Sequence, residues 1–359
     1  MDVKSAFLNG ILQDEVYVEQ PKGFENSQHP EHVYRLKKAL YGLKQIYVDD
    51  IVFGSTCQPL VKQFVESMSQ EFEMSMVGEL RYFLGLQVEQ SADVIFVSQS
   101  TYAKELVQRF GLDKSKEAKI PMGANDKLSK EEEGEDVDER LYKGMIGSLL
   151  YLTASRPDIC LSLGICACYH AKPKMLHLLA VKKIIKYIKG TLDFGIYYTK
   201  DTNTSLSGYC DADWAGFVDD RRSTSGDCFF MGNNLISWHN KKQNSVSLST
   251  AEAEYIALGS CCTQLLWMRQ MASDYGMESD PLLIHCDNLS AINISKNHVQ
   301  HSRTKHIDIR HHFVRVLVEA KLIEIDHVSI DLQLTDLFTK PLDFNRFVNL
   351  RKSIGVCEF

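Results

Sequence analysis

From Leu206 onward the apolar positions alternate between two periods. Short runs with every-other-residue alternation cover Leu206–Asp211, Gly226–Gly232 and Leu235–Trp238, and two more cover Leu282–Asp287 and Ile323–Val328. These are strand patterns, and the first three lie close enough in sequence to form a meander. Between them the period lengthens to about 3.6 residues. A long helix is predicted over Ala251 to Tyr275, and shorter ones over Ser290–Ile294, Ile307–Ala320 and Leu332–Phe338. Strands interleaved with helices over about 140 residues predict one compact α/β unit of ordinary domain size.

Upstream the same periods recur less regularly. Val61, Phe64, Val65, Met68 and Phe72 give Pro59–Met76 a helical face. Leu80–Val88 reads as a strand paired with Val94–Val97, and Tyr102–Phe110 as another helix. Ile120-Pro121-Met122-Gly123 breaks the pattern, and the acidic run Glu131–Glu139 holds one valine, so residues 113–140 read as a solvated linker. Residues 141–198 are helical. Lys182, Lys183, Lys186 and Lys189 share a face there, either a solubilising surface or a track for phosphates. The chain thus divides into residues 1–112, the linker 113–140, a helical connection 141–205, the α/β domain 206–345 and a tail, 346–359. Residues 1–140 are expected to pack poorly and residues 206–340 well.

Composition changes this picture little. The 359 residues suffice for two or three domains. A net charge of −7 excludes a chain that is basic throughout, so nucleic-acid contacts must be local. No run reaches the ~18 apolar residues of a membrane helix, and Met1-Asp2-Val3-Lys4 lacks a signal-peptide pattern. Ten cysteines without a C-x-x-C pair read as buried free thiols of a reducing compartment.

The chemistry sits in carboxylates at element ends. Asp211 follows the apolar run of its strand, with Asp213 two residues on as a competing candidate. Ser249 and Glu252 form a capping box, which gives Glu252 a structural role. Glu254 instead shares a face with Ala257, Leu258, Cys261 and Leu265, so it is an acid on the buried face of its helix. Asp287 ends a strand, where it also suits a helix cap, and Asp336 opens a short helix. A buried acid needs a partner. Four acids in the order strand, helix, strand, helix predict a cage for divalent metal. Lys296, Arg303, Lys305, Arg310 and Arg315, interleaved with five histidines that include His306, predict a nucleic-acid contact, with zinc as the weaker reading. Arg222, Ser223, Thr224 and Ser225 either donate to phosphate or form a turn, and Trp238 and Trp267 are expected in the core. Near the start, Asp49 and Asp50 are flanked by apolar residues as at a tight hairpin tip, and Asp2 would complete a second two-metal set.

Several motifs carry a resemblance. Asp2-Val3-Lys4-Ser5-Ala6-Phe7-Leu8-Asn9-Gly10, Leu40-Tyr41-Gly42-Leu43-Lys44-Gln45 and Tyr47-Val48-Asp49-Asp50 resemble the reverse transcriptase of Ty1/copia-type retrotransposons. The stretches around Asp211, Glu254, Asp287 and Asp336 resemble that family's ribonuclease H domain. The resemblance implies an α/β chain: an α+β polymerase palm remnant, a helical connection, and a ribonuclease H-like mixed five-stranded sheet with flanking helices. It implies that Asp2, Asp49 and Asp50 match the polymerase acids. Phe7 matches the gate against a 2′-hydroxyl, and Gln45 is a further substrate-facing position. Asp211, Glu254, Asp287 and Asp336 match the nuclease acids, which hold two Mg²⁺ or Mn²⁺ ions and hydrolyse RNA in an RNA–DNA hybrid. Arg303, Lys305, His306, Arg310 and Arg222 are the expected substrate contacts. Other Pol parts, integrase and protease among them, are the expected partners, with no membrane. The implied location is the cytoplasm, in a virus-like particle, with the nucleus as an alternative. The chain departs from the family in two places. No finger subdomain precedes Asp2, and Gln45 runs straight into Ile46, where the family has a helix and strand of the palm. Polymerisation by this chain alone is therefore not expected, because positioning carries most of phosphoryl-transfer catalysis.

Overall fold

The structure is a computed structural model that describes residues 2–3, 17–18, 34–35, 51–55, 57–72, 74–76, 78–130, 133–277, 281–296 and 313–359. The chain forms two compact units, Met1–Leu80 and Arg81–Phe359. In the first, strand β1 (Asp2–Val3) pairs antiparallel with β4 (Met74–Ser75), and β2 (Tyr17–Val18) with β3 (Tyr34–Arg35). Helix α1 spans Gln58–Glu71, with a proline in its first turn where no backbone donor is needed. It ends short of the predicted Met76, because Phe72 turns extended and Met74–Ser75 is taken up by the pairing with β1. No residue of α1 is buried.

The second unit holds two five-stranded sheets. One is antiparallel and runs β14–β8–β7–β6–β5, from Val356–Glu358, Phe194–Thr199, Val94–Ser98, Leu86–Gln90 and Tyr82–Phe83. Where one strand is predicted over Leu80–Val88, the chain makes a hairpin. Leu84 and Gly85 both take positive φ, 47° and 78°, which closes a two-residue turn between β5 and β6.

Around this sheet pack α2 (Ser100–Arg109), α3 (Glu139–Leu152), α4 (Cys160–Ala167) and α5 (Met175–Lys189). The stretch predicted as a linker is partly structural. Met122 and Leu128 are buried, Ala118 N–H donates to the Lys186 carbonyl, and Asp138 caps α3 through the N–H groups of Arg140 and Leu141. Two of the four lysines on α5 are used up here. Lys183 pairs with Asp126, and Lys189 donates to the Ser115 carbonyl at 2.6 Å. Their face is therefore partly covered by the preceding chain.

The other sheet has the order β11–β10–β9–β12–β13. Strands β9 (Leu206–Ala212), β10 (Thr224–Met231) and β11 (Asn234–Lys242) form the expected antiparallel meander, and β12 (Leu282–Cys286) and β13 (Ile323–His327) add parallel to β9. This is the mixed α/β sheet expected of a ribonuclease H-like domain. Helices α6 (Thr250–Asp274), α7 (Leu289–Lys296) and α8 (Phe313–Glu319) close one face over Leu206, Cys210, Ile284 and Ile325. Along α6, Ala257, Leu258, Cys261 and Leu265 are all fully buried, as the 3.6 period predicts. Trp267 departs from expectation: it is 57% exposed on the outer side of this helix.

Against the second face lie α9 (Asp336–Thr339) and α4, so that Cys228, Phe230 and Leu235 share one core with Tyr142, Leu149 and Ile184 of α3 and α5. Residues 141–205 thus supply part of the cover of this second face. Residues 346–359, expected as a tail, are folded too. Helix α10 (Phe344–Ser353) buries Phe347 and Leu350, and β14 pairs with β8. The spacing of Phe347, Leu350 and Ile354 is helical and carries the signal, but the pattern is short. Among the described residues, no helix is long and apolar enough to cross a membrane.

Candidate functional site

Four acids meet where strands β9 and β12 end. The parallel register pairs Gly208 with Ile284 and Tyr209 with His285. Two residues further along, the same alignment brings Asp211 beside Asp287. Glu254 arrives from the first turn of α6, behind the cap in which Ser249 Oγ accepts from Glu252 N–H at 3.2 Å. Glu252 returns a bond, its Oε2 accepting from Leu248 N–H at 2.8 Å, so it fills the predicted structural role. Asp336 arrives on α9.

Two glycines make the approach of these helices possible. A Cβ on Gly208 would lie 2.9 Å from Cys261 Sγ of α6. On the opposite face a Cβ on Gly226, the register partner of Asp211, would lie 2.7 Å from Thr339 Cγ2 and 2.9 Å from Phe338 Cβ of α9. A side chain at Gly226 would hold α9 off the sheet, and one at Gly208 would crowd the side-chain ends that α6 sets against it. The loop before α9 is tied down by Gln333, whose Nε2 donates to the Cys210 carbonyl at 3.0 Å.

Ligand atoms of Asp211, Asp287 and Asp336 all lie within 4.8 Å of one another, and so do those of Glu254, Cys286 and Asp287. Asp211, Glu254 and Asp336 are buried, and Asp287 is half-buried. Burial raises the Asp211 carboxyl above its usual range, and the neighbouring Asp336 and Asp287 add to this against the opposing Lys340. Glu254 is pushed up to about 11, by burial first and then by Asp211, Cys286 and Asp287. Its Oε2 is buried without a hydrogen-bond partner.

Basic groups answer part of this charge. Lys340 Nζ donates to Asp211 Oδ1 at 3.1 Å and to Asp336 Oδ1 at 2.8 Å. Burial alone would lower the Lys340 ammonium, but Asp211 and Asp336 hold it above its usual range. Thr339 Oγ1 donates to Asp211 Oδ2, and Arg346 donates to Asp336 Oδ2. Sequence reasoning assigned no role to Thr339, Lys340 or Arg346. The signal was available for Lys340, which lies four residues after Asp336 and so falls on the same helical face. An orphaned buried carboxylate oxygen and two groups of converging acids fit divalent metal. A mostly oxygen donor set suits Mg²⁺ or Mn²⁺.

Asp213 takes a different place. Its Oδ1 accepts from Thr224 N–H, its Oδ2 fills the space a Cβ on Gly216 would need, and it belongs to neither group of converging ligands. Burial pushes its carboxyl up to about 6. Ser223 and Ser225 are buried and face inward, accepting from Ala215 N–H at 3.1 Å and from Gln243 Nε2 at 3.0 Å. Arg222 is half-buried, 3.8 Å from Asp220. Arg315, expected at a nucleic-acid surface, is buried, and its Nε donates to the Ile294 carbonyl at 2.9 Å. Phe7, Gln45, Asp49, Asp50, Arg303, Lys305, His306 and Arg310 lie outside the described residues, as does the side chain of Asp2.

Known proteins match along the whole chain. The reverse transcriptase (RNA-dependent DNA polymerase) family matches residues 1–46 and 45–124, two segments that abut where the motifs predict an internal gap. The retrovirus-related Pol polyprotein from transposon RE2 of Arabidopsis thaliana is 35% identical over 399 aligned positions, covering 100% of this chain and 27% of the relative. The corresponding polyprotein from transposon TNT 1-94 of Nicotiana tabacum is 31% identical, covering 99% and 30%. The chain therefore spans under a third of the length of these relatives. A foamy viral protease-reverse transcriptase solved with an RNA/DNA hybrid shares the fold, with a TM-score of 0.51 and 11% identity over 92% of this chain and 43% of that one. With its full length matched at this identity, the chain belongs to the copia-type retrotransposon Pol polyproteins.

Proposed function

We propose that the second unit hydrolyses the RNA strand of an RNA–DNA hybrid with the help of two divalent metal ions. The reading rests on one observation, the convergence of Asp211, Glu254, Asp287 and Asp336 at one end of a ribonuclease H-like sheet. It treats residues 206–345 as the nuclease domain and residues 141–205 as its connection. In this reading the four acids hold Mg²⁺ or Mn²⁺, and Asp213 serves the turn beside them. Ions held there would supply a lowered pKa for a bound water and stabilise negative charge on a leaving 3′ oxygen.

The chain's own residues prepare the site. Thr339 and Lys340 each fix one oxygen of Asp211, so its carboxylate has a single orientation. Arg346 and Lys340 divide the two oxygens of Asp336 between them. Asp287 is the most exposed of the four. Arg222, Arg303, Lys305, His306 and Arg310 remain the proposed contacts to the hybrid. The similar foamy viral protein was solved with an RNA/DNA hybrid, which supports this substrate class.

Polymerisation stands apart. The polymerase family matches in two pieces that meet at residues 45–46, and the RE2 alignment runs over 399 positions against 359 residues here. We read residues 1–112 as a polymerase remnant in which Asp2, Asp49 and Asp50 lack the palm segments that position substrate. The test is cleavage of a labelled RNA–DNA hybrid by the full chain with Mg²⁺, beside Asp211→Asn and Glu254→Gln. Cleavage is expected from the parent, with at least a ~100-fold loss in each variant, as a removed metal ligand entails. A folded parent that leaves the hybrid intact would favour a non-enzymatic relic of a decayed element.

A further inference from the structure

We propose that Trp214, with Leu248 on the adjoining loop, is a substrate contact that packs against the sugar face of a nucleotide beside the cleaved bond; this rests on the hybrid-cleaving reading above. The indole is 53% exposed, yet it is anchored. Trp214 Nε1 donates to the Ser247 carbonyl at 3.1 Å, which ties the loop after β9 to the loop before α6. Ser247 is itself buried, its Oγ donating to Gln243 Oε1 at 3.1 Å, and Gln243 Nε2 donates to the Ala253 carbonyl at 2.9 Å. The ring is thereby tied to the first turn of α6, which also carries Glu254. The next residue, Ala215, takes φ 56°, a left-handed conformation that costs a non-glycine residue free energy, and Ser223 Oγ holds its N–H at 3.1 Å.

A large aromatic ring fixed at its polar end and open to solvent elsewhere is suited to contact. Val246 and Leu248, on either side of the tethering carbonyl, are exposed as well, Leu248 at 71%. The two loops therefore present apolar side chains where they are joined. Chain distance sets what reaches them. Trp214 follows Asp211 by three residues, so their Cα atoms lie at most about 11 Å apart. A strand whose phosphate meets Asp211 must pass close to the indole. A paired strand turns its bases inward, so the apolar surface it offers from outside is the sugar. Every nucleotide carries that surface, and the contact is therefore independent of base sequence.

The test titrates a short RNA–DNA hybrid into the full chain in EDTA, where no metal-dependent cleavage occurs, and follows tryptophan emission. The starting protein carries Trp267→Phe, because Trp267 is also exposed and would report contacts of its own, whereas Trp238 packs against the core. The hybrid should change the emission; inorganic polyphosphate, which has the charge without the sugars, should not. Trp214→Ala should abolish the change and weaken binding of a labelled hybrid about tenfold, with most of the affinity kept in Trp214→Phe. With Mg²⁺, Trp214→Ala should raise KM about tenfold and leave kcat within about twofold, as loss of uniform binding does. A purely structural tryptophan would instead lower kcat and the melting temperature together. An emission that does not respond to the hybrid, an equal response to polyphosphate, unchanged affinity in Trp214→Ala, or a loss confined to one base composition would overturn the proposal. Should Trp214→Ala fail to fold by far-ultraviolet circular dichroism, Leu248→Ser decides, with a loss of about threefold expected and unchanged affinity overturning it. Normal binding and cleavage by Trp214→Ala would sink this inference alone. A Trp214-dependent emission change in a parent that leaves the hybrid intact with Mg²⁺ would sink the nuclease reading alone.

Discussion

Lys340 is the residue on which the charge balance of the site turns. Its ammonium bridges two buried carboxylates, and breaking a buried pair by removing one partner leaves the other charge uncompensated. Lys340→Met should therefore destabilise the metal-free protein. Its side chain is 39% exposed, so the loss is about 1–3 kcal/mol, below the range for a fully buried pair. Mg²⁺ should then raise the melting temperature more in the variant than in the parent, because the ion meets two carboxylates without a competing cation. An equal or smaller Mg²⁺-induced shift in the variant would contradict this role. Glu254 leads to a pH prediction. Its folded-state pKa, pushed up to about 11, lies above the ordinary value of 4.5, so the folded state holds the proton where the unfolded state has lost it. Its contribution is then most favourable below pH 4.5 and is lost progressively as pH rises from there towards 11. In metal-free protein, the stability difference between parent and Glu254→Gln should shift against the parent as pH rises from 5 to 9, by at most about 1.4 kcal/mol per pH unit. A difference that is flat with pH would show that Glu254 is already ionised in the fold. The sequence made Glu254 legible because its helical face is apolar at Ala257, Leu258, Cys261 and Leu265. Lys340 escaped because a lysine after a short helix is usually solvated, and only the arrival of α9 on the sheet makes it a bridge.

At the scale of elements, the site depends on how closely α6 and α9 approach opposite faces of one sheet. Gly226 permits the approach of α9, and Gly226→Ala would set a methyl against Thr339 and Phe338. Phe338 Cβ, 2.9 Å from that methyl, is fixed to the backbone, so the strain cannot be relieved by a side-chain rotation alone. The expected cost is about 1–3 kcal/mol of overpacking, together with a loss of hybrid cleavage larger than stability alone explains, because Asp336 moves with its helix. Urea unfolding beside initial cleavage rates checks both. A variant as stable and as active as the parent would mean that α9 does not set the site. The sheet order was legible because each strand has its own apolar run, and the long helix because its first half keeps an apolar period through Ala257, Leu258, Cys261 and Leu265. The hairpin at Leu84–Gly85 was hidden in a continuous apolar stretch, where only the two positive φ values reveal the turn. The end of α1 was hidden for a related reason: the apolar Met74 fits a helix as well as the strand it joins.

For the whole molecule, the boundary of cooperative folding follows the shared core more closely than the motifs. The face of the β9–β13 sheet that carries Cys228, Phe230 and Leu235 is covered by α4 and α9, whose Leu337 and Phe338 are buried in one cluster with residues of α3 and α5. Removing residues 141–205 would therefore strip one side of the sheet and expose that face to water. Burial of such side chains contributes roughly 1.5–3 kcal/mol each, against a total stability of about 5–15 kcal/mol. About three to five of them uncovered at once would offset most or all of that margin. A fragment of residues 206–359 should accordingly bind a hydrophobic dye and melt without a cooperative transition. A fragment of residues 81–359, which keeps the entire compact unit, should melt cooperatively and bind the dye weakly. The two fragments share every proposed nuclease residue, so a difference between them reports packing rather than chemistry. A cooperative melt from residues 206–359 alone would show that the connection is a separate neighbour of the β9–β13 sheet and that the motif-based boundary at residue 206 is also the folding boundary.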